Sequence, residues 1–152
     1  MLRPRILDCR RYHLYPDPDT LSVLEWTAVH RYRNILVSNN YLELPEMMVR
    51  LGLASYFQEM LVSARLGYEK PIRLSFSGCW RQPGVLHSPE ACVIIGDNPC
   101  ADIEGGKRAG LKTVLVHRKD NGISLADASI AVLGDLPDCL RDIGGRMTAA
   151  GN

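Results

Sequence analysis

The sequence predicts an α/β protein with a Rossmann-like parallel sheet and helices on both faces, and three observations lead there. Four short runs, residues 34–38, 60–63, 92–96 and 113–117, are continuously apolar rather than alternating, as strands buried on both faces of a parallel sheet are. Segments of helical periodicity separate them. Neither an internal repeat nor a long low-complexity linker interrupts the alternation, which leaves a layered fold with right-handed crossovers.

Each element has its own justification. Over residues 17–32, Leu21, Leu24, Ala28 and Tyr32 recur at helical spacing, with Asp17 as N-cap, Pro18 at the first helical position and Asp19 in the first turn. A second helix runs from Pro45 through Met48 and Leu51 and stops at Gly52. Ile72, Phe76, Cys79 and Trp80 line one face of a weak helix, which Ser75, Ser77 and Gly78 fray and Pro83-Gly84 ends. The next helix begins near Asp102 and stops at Gly110, and its Gly105-Gly106 pair lets it lie close on the sheet despite the cost of glycine in a helix. Residues 129–133 read as a short strand, a small helix follows Leu136, and the end is expected to be disordered at Gly144-Gly145 and over 149–152. Residues 1–13 form an extension, 14–143 the core and 144–152 a flexible tail.

The 152 residues suffice for one domain. With 46% hydrophobic and 23% charged residues the composition is that of a globular chain, not a disordered one. A net charge of +1 gives no footprint for nucleic acid, and the Arg-rich start (Arg3, Arg5, Arg10, Arg11) reads as a solvated segment. The central apolar run 91–95 is far shorter than the roughly 20 residues of a membrane helix, and no apolar segment follows the early arginines as in a secretory signal. Five cysteines, odd in number and without a C-x-x-C pair, point to reduced thiols and a cytoplasmic setting. The four histidines are scattered and show no i, i+4 pair.

In open parallel sheets ligands bind beyond the carboxyl ends of the strands, and polar groups stand there after three of the runs. Ser38-Asn39-Asn40 follow the first, Lys70-Pro71 lie in the loop after the second, and Gly96-Asp97-Asn98-Pro99 follow the third, with Asp102 opening the next helix. Asp97 and Asp102, across a turn containing Gly and Pro, can meet on one hard cation. Mg²⁺ suits them because it takes few protein carboxylates, keeps several waters and leaves room for a phosphate oxygen. Lys70 offers a point charge to a phosphoryl group, and the Ser38 hydroxyl with neighbouring N–H groups, Asn39 included, offers donors to another oxygen. Singly, each residue has a plainer explanation: Asp102 as complement to a helix dipole, Ser38-Asn39 as a turn, Lys70 as a solvated cation. A phosphoacceptor receiver domain is disfavoured because its acidic pair comes first and its Lys last. A P-loop at Gly105-Gly106-Lys107-Arg108 fails because Arg108 replaces the Ser/Thr and Ala101 the first glycine.

Ile35-Leu36-Val37-Ser38-Asn39-Asn40, then Gly67-Tyr68-Glu69-Lys70-Pro71, then Val93-Ile94-Ile95-Gly96-Asp97-Asn98 through Asp102 and on to residues 110–116, resemble motifs II, III and IV of the haloacid dehalogenase-like (HAD) hydrolases. The order and spacing match over about residues 14–140. The resemblance implies that Ser38 is the phosphate-binding hydroxyl, Lys70 the cation, and Asp97 and Asp102 the carboxylates of a Mg²⁺ site acting on a small phosphorylated substrate. Most relatives with this pattern are Mg²⁺-dependent phosphatases. The dehalogenases need no metal and usually lack the Gly-Asp pair, so dehalogenation is disfavoured.

Motif I of the family, an apolar strand ending in Asp-x-Asp-x-Thr that carries nucleophile and general acid/base, is not found. Asp17-Pro18-Asp19-Thr20 has the letters but no apolar strand before it and reads as a helix start; Ile6-Leu7-Asp8-Cys9-Arg10 has one carboxylate, with Arg10 where the acid/base belongs. The nucleophile stays unassigned. The chain accordingly reads as the C-terminal part of a longer ancestral protein, its sheet incomplete at the strand that motif I supplies between those ending in Ser38 and Asp97. Unless residues 5–9 fill that slot, two strand edges are open to self-association. Two functions remain: a Mg²⁺-dependent phosphate-monoester phosphatase, or a non-catalytic remnant that binds phosphate and Mg²⁺ or a partner.

Overall fold

A computed structural model describes residues 16–38, 43–62, 89–116 and 125–149, with side chains through Gly144. The first helix, α1, spans Thr20–Val29, starting later than predicted. The Asp17 carboxylate accepts the N–H of Asp19 at 3.1 Å, and the Thr20 N–H donates to the Asp17 carbonyl at 2.9 Å, so Asp17 caps a turn rather than the helix. Asp19 takes the N-cap position, but its carboxylate accepts from the Gly134 N–H instead, at 3.2 Å. The buried face also differs from the expected one. Val23, Leu24 and Thr27 point inward, while Leu21, Ala28 and Tyr32 are exposed. Thr27 is tolerated there because its hydroxyl donates to the Leu24 carbonyl and accepts from the Asn34 side-chain amide, both at 2.8 Å.

The strands are β1 (Ile35–Ser38), β2 (Glu59–Val62), β3 (Val93–Gly96), β4 (Lys112–Val116) and β5 (Ala128–Ile130). All pairings are parallel, as the apolar runs foretold, but they make two sheets: β1 with β2, and β3-β4-β5. Among the described residues, one edge of β1 and one edge of β3 have no strand partner. Burial follows pairing. In β4, which has neighbours on both sides, Thr113, Val114 and Leu115 are buried, whereas β1 is only half-buried and Ile95 of β3 is 37% exposed. Burial on both faces, expected of all four runs, is therefore complete only where a strand is flanked on both sides.

The helix α2 spans Leu44–Arg50, with Pro45 in its first turn. A π-helical turn, Pro99–Glu104, precedes the short α3 (Gly105–Arg108), so the regular helix begins three residues beyond Asp102. A methyl group on Gly106 would lie 2.5 Å from Ile94 Cγ2 and 3.0 Å from Thr113 Cγ2, which is why glycine is needed where α3 crosses the sheet. The last helix, α4, runs Leu136–Ala149 and passes through Gly144-Gly145, where an end was expected. Its apolar face docks on the sheet through Leu136, Leu140 and Ile143, and that packing outweighs the weak propensity of two glycines. The strand expected at 129–133 is the shorter β5. The predicted helix over 72–89 lies outside the described residues, apart from a 3-10 turn that opens at Pro89. No helix among the described residues is long and apolar enough to cross a membrane.

Of three hydrophobic clusters among the described residues, the two larger hold these layers. Val23, Val114, Ile130, Leu136, Leu140 and Ile143 form one; Leu24, Leu44, Met48, Leu53 and Val62 form the other. Adjacent residues of α1 enter different cores, so this helix joins the two sheets. Across the crossover between β4 and β5, Asp127 accepts from the Thr113 N–H at 2.8 Å, the Thr113 hydroxyl at 2.9 Å and the Lys107 ammonium at 3.0 Å. Burial raises the Asp127 pKa, but these donors outweigh it and the net shift is downward.

Leu140→Ala, at a site 4% exposed, is expected to cost about 2–5 kcal/mol, read by denaturant unfolding. Because the folded-state pKa of Asp127 is depressed, its stabilisation is present above the unfolded carboxylate value and is lost as pH falls through the folded one. Asp127→Asn should therefore lower the thermal midpoint at pH 7 and approach the parent protein progressively as pH falls below about 4 and through the depressed folded-state value. A constant difference across that range would show that the charge is irrelevant.

Candidate functional site

The strand ends carry the polar groups. Ser38 closes β1 opposite Val62 of β2 and is half-buried. Asp97 follows Gly96 at the end of β3 and is exposed. The next residue, Asn98, precedes a proline and has the extended backbone such a position favours, φ −101° and ψ 110°.

From Asn98 the chain turns sharply. The Asn98 carbonyl accepts the N–H groups of Asp102 at 2.9 Å and Ile103 at 3.3 Å, the second closing a π turn. This wide turn brings Asp102 back over the end of β3, where one carboxylate oxygen accepts the Asn98 N–H at 3.2 Å. Asp102 is 4% exposed. Its carboxylate lies against Gly96 so closely that a Cβ on that glycine would overlap it and come 2.6 Å from Asp102 Cβ. The bare backbone of Gly96 thus forms a cradle for an acidic side chain, a placement that serving a helix dipole does not demand.

Of the residues singled out from sequence, Asp97 and Asp102 share one turn, and Ser38 ends a strand of the other sheet, held to the first by α1. Asn39 and Lys70 lie outside the described residues. The donor set suits Mg²⁺: a buried, oriented carboxylate and an exposed one beside it, where that ion asks for one or two protein carboxylates and otherwise keeps water. Among the described residues no group of three or more His, Cys, Asp or Glu converges, so a richer cage is not on offer there. Burial, then Glu90, push the Cys92 thiol above its usual range, away from the thiolate a soft metal or a nucleophile needs. A cavity of about 310 Å³ between β5 and α4, lined by Ser129, Asp135, Cys139 and Asp142 among others, shares no residue with the Gly96–Asp102 turn. Chemistry, more than concavity, singles out the strand ends.

Sequence reasoning named the two aspartates but missed what arranges them. Gly96 and Asn98 enter the sequence reading only as members of the motif and of the polar set after the third run, with no role of their own. The signal was present in Asn98-Pro99, an acceptor side chain in an enforced extended conformation just ahead of a helix.

Comparison with known proteins agrees with this topology. The HAD-hydrolase-like family model matches residues 64–138. A glyceraldehyde 3-phosphate phosphatase of Methanopyrus kandleri is 32% identical over 112 residues, 73% of this chain and 47% of that protein. Among solved structures, a HAD phosphatase from Thermococcus onnurineus superposes with a TM-score of 0.74 at 27% identity, over 81% of this chain and 57% of that one. The HAD-hydrolase YfnB of Bacillus subtilis, solved with bound magnesium, gives 0.71 at 25% identity, over 82% and 55%. The chain spans about half the length of these three proteins.

The cradle makes a direct prediction. Gly96→Ala should displace the Asp102 carboxylate and cost about 1–3 kcal/mol in unfolding free energy, the usual penalty of overpacking. A thermal midpoint equal to that of the parent protein would mean that the two residues are not in contact.

Proposed function

We propose, since the chain belongs to the HAD-like hydrolase superfamily, that its strand ends form the phosphate- and Mg²⁺-binding part of a phosphate-monoester phosphatase site. The observation that carries this reading is the Asp102 carboxylate lodged in the Gly96 cradle, within one turn of Asp97. The phosphatase names of relatives in both comparisons support it.

Each residue has a task that follows from its chemistry. Asp102 is held by packing and by the Asn98 N–H, so its second oxygen has a fixed direction at little reorganisation cost. Asp97, exposed at the strand end, supplies a second hard donor. Asp97 and Asp102 would hold Mg²⁺, whose positive charge would polarise a phosphoryl oxygen. The Ser38 hydroxyl, with Asn39 beside it, donates to another phosphate oxygen, and Lys70 opposes the charge of the phosphoryl group as it transfers. These groups bind and orient an anion. The nucleophile is not assigned to any residue of the chain.

A second reading, a phosphate- and Mg²⁺-binding or interaction module without turnover, is favoured by the unrecognisable Asp-x-Asp motif and by the edges of β1 and β3 that have no strand partner among the described residues. Such edges are templates for another strand, and this reading expects the chain to self-associate with rising concentration in sedimentation experiments.

One set of measurements separates the readings. Isothermal titration with Mg²⁺ is expected to show binding that Asp97→Asn removes, and p-nitrophenyl phosphate is the probe for turnover. Mg²⁺-dependent hydrolysis reduced at least about 100-fold in Asp97→Asn supports the phosphatase. Mg²⁺ binding with no hydrolysis supports the module, and no Mg²⁺ binding at millimolar concentration overturns both.

A further inference from the structure

Asn98 stands between the two aspartates and uses every polar group it owns on the segment that joins them, apart from its side-chain NH₂. Its side-chain oxygen accepts the N–H of Cys100 at 3.1 Å and of Ala101 at 2.9 Å. Its own N–H donates to the Asp102 carboxylate at 3.2 Å. Its carbonyl accepts the N–H groups of Asp102 and Ile103. Five hydrogen bonds thus converge on one exposed residue, and they tie the residue before the π turn to the turn's second, third, fourth and fifth residues.

We infer that Asn98 is a positioning residue, whose side chain sets the separation and direction of the Asp97 and Asp102 carboxylates for a divalent cation. Capping alone does not account for the arrangement. An N-cap side chain satisfies N–H groups at the first turn, and Asn98 does that through its side-chain oxygen. The same residue, clamped between those bonds and Pro99, also presents its backbone N–H to the acid that would bind the metal. Free rotation at Asn98 would release the Asp102 oxygen from its fixed direction and let Asp97, exposed and otherwise unsupported in the turn, drift relative to it. Partners of this kind, which hold a ligand without touching the ion, change metal affinity by about 10- to 100-fold when removed.

This inference rests on reading Asp97 and Asp102 as the cation's ligands, so the experiment must distinguish its own failure from the failure of that reading. Mg²⁺ affinity is measured by calorimetry for the parent chain, Asp97→Asn, Asn98→Ala and Asn98→Ser, together with each thermal midpoint in the absence of metal. The expected result is a loss of affinity of about 10- to 100-fold in Asn98→Ala and recovery to within about threefold of the parent in Asn98→Ser, which keeps an acceptor oxygen. A residue that merely stabilised the turn would lower the midpoint and leave the affinity of the folded fraction unchanged. Should Asn98→Ala not fold, Asn98→Gly removes the acceptor with only a small loss of capping and answers the same question. Parent-like Mg²⁺ affinity in Asn98→Ala or Asn98→Gly, with binding abolished in Asp97→Asn, overturns the role of Asn98 and leaves the aspartates as ligands. Binding that Asp97→Asn does not alter overturns the ligand assignment, and the inference with it.

Discussion

The architecture depends on two neighbouring residues of α1 that face different cores. Val23 packs with Val114, Ile130 and α4, while Leu24 packs with Met48, Leu53 and Val62. Successive residues of a helix point about 100° apart, so a single helix laid along the junction can bury one side chain in each layer. Hydrogen bonds secure both of its ends. Asp19 accepts from Gly134 on the β3-β4-β5 side, and Thr27 meets Asn34, whose amide also donates to the Tyr56 carbonyl at 3.1 Å on the β1-β2 side. No strand pairing joins the two sheets among the described residues, and α1 supplies an attachment in its place.

Within the second sheet, a different constraint orders the candidate site. Buried carboxylates are costly unless hydrogen-bonded or paired, and Asp102 is almost fully buried. Gly96 gives it space, Asn98 gives it a donor, and the π turn gives it a backbone path that an ordinary α turn would not. A π turn is rare and strained relative to an α-helix, and such turns are found where a side chain has to be aimed. Here it aims an acid at the carboxyl end of a parallel strand, the edge at which α/β folds bind ligands. Two aspartates of one turn thereby differ sharply in environment, one rigid and buried, the other exposed.

The proposed phosphate- and Mg²⁺-binding role would give these features a common purpose, because charge on a phosphoryl group is handled by placement and electrostatics more than by covalent chemistry. The match covers about half of each relative, at 32% and 27% identity. The two carboxylates lie within residues 64–138, which the family model matches.

The parallel strands were legible from their apolar runs, and the polar residues after them from position alone, because a strand fully inside a sheet must be apolar and whatever follows it must reach solvent. Ser38, Asp97 and Asp102 stand out as candidates that way, and with Lys70 their order and spacing carry the resemblance to the family. Helix boundaries were read less well: Asp17 prefers its own turn to the helix, and α4 continues through two glycines because Leu136, Leu140 and Ile143 bury on the sheet. The division into two sheets, the burial of Asp102 against Gly96 and the five bonds of Asn98 came from the folded chain. Local composition records which residues seek water and which avoid it, whereas the approach of one backbone to another side chain depends on groups distant in sequence being packed to contact, a quantity that no single segment encodes.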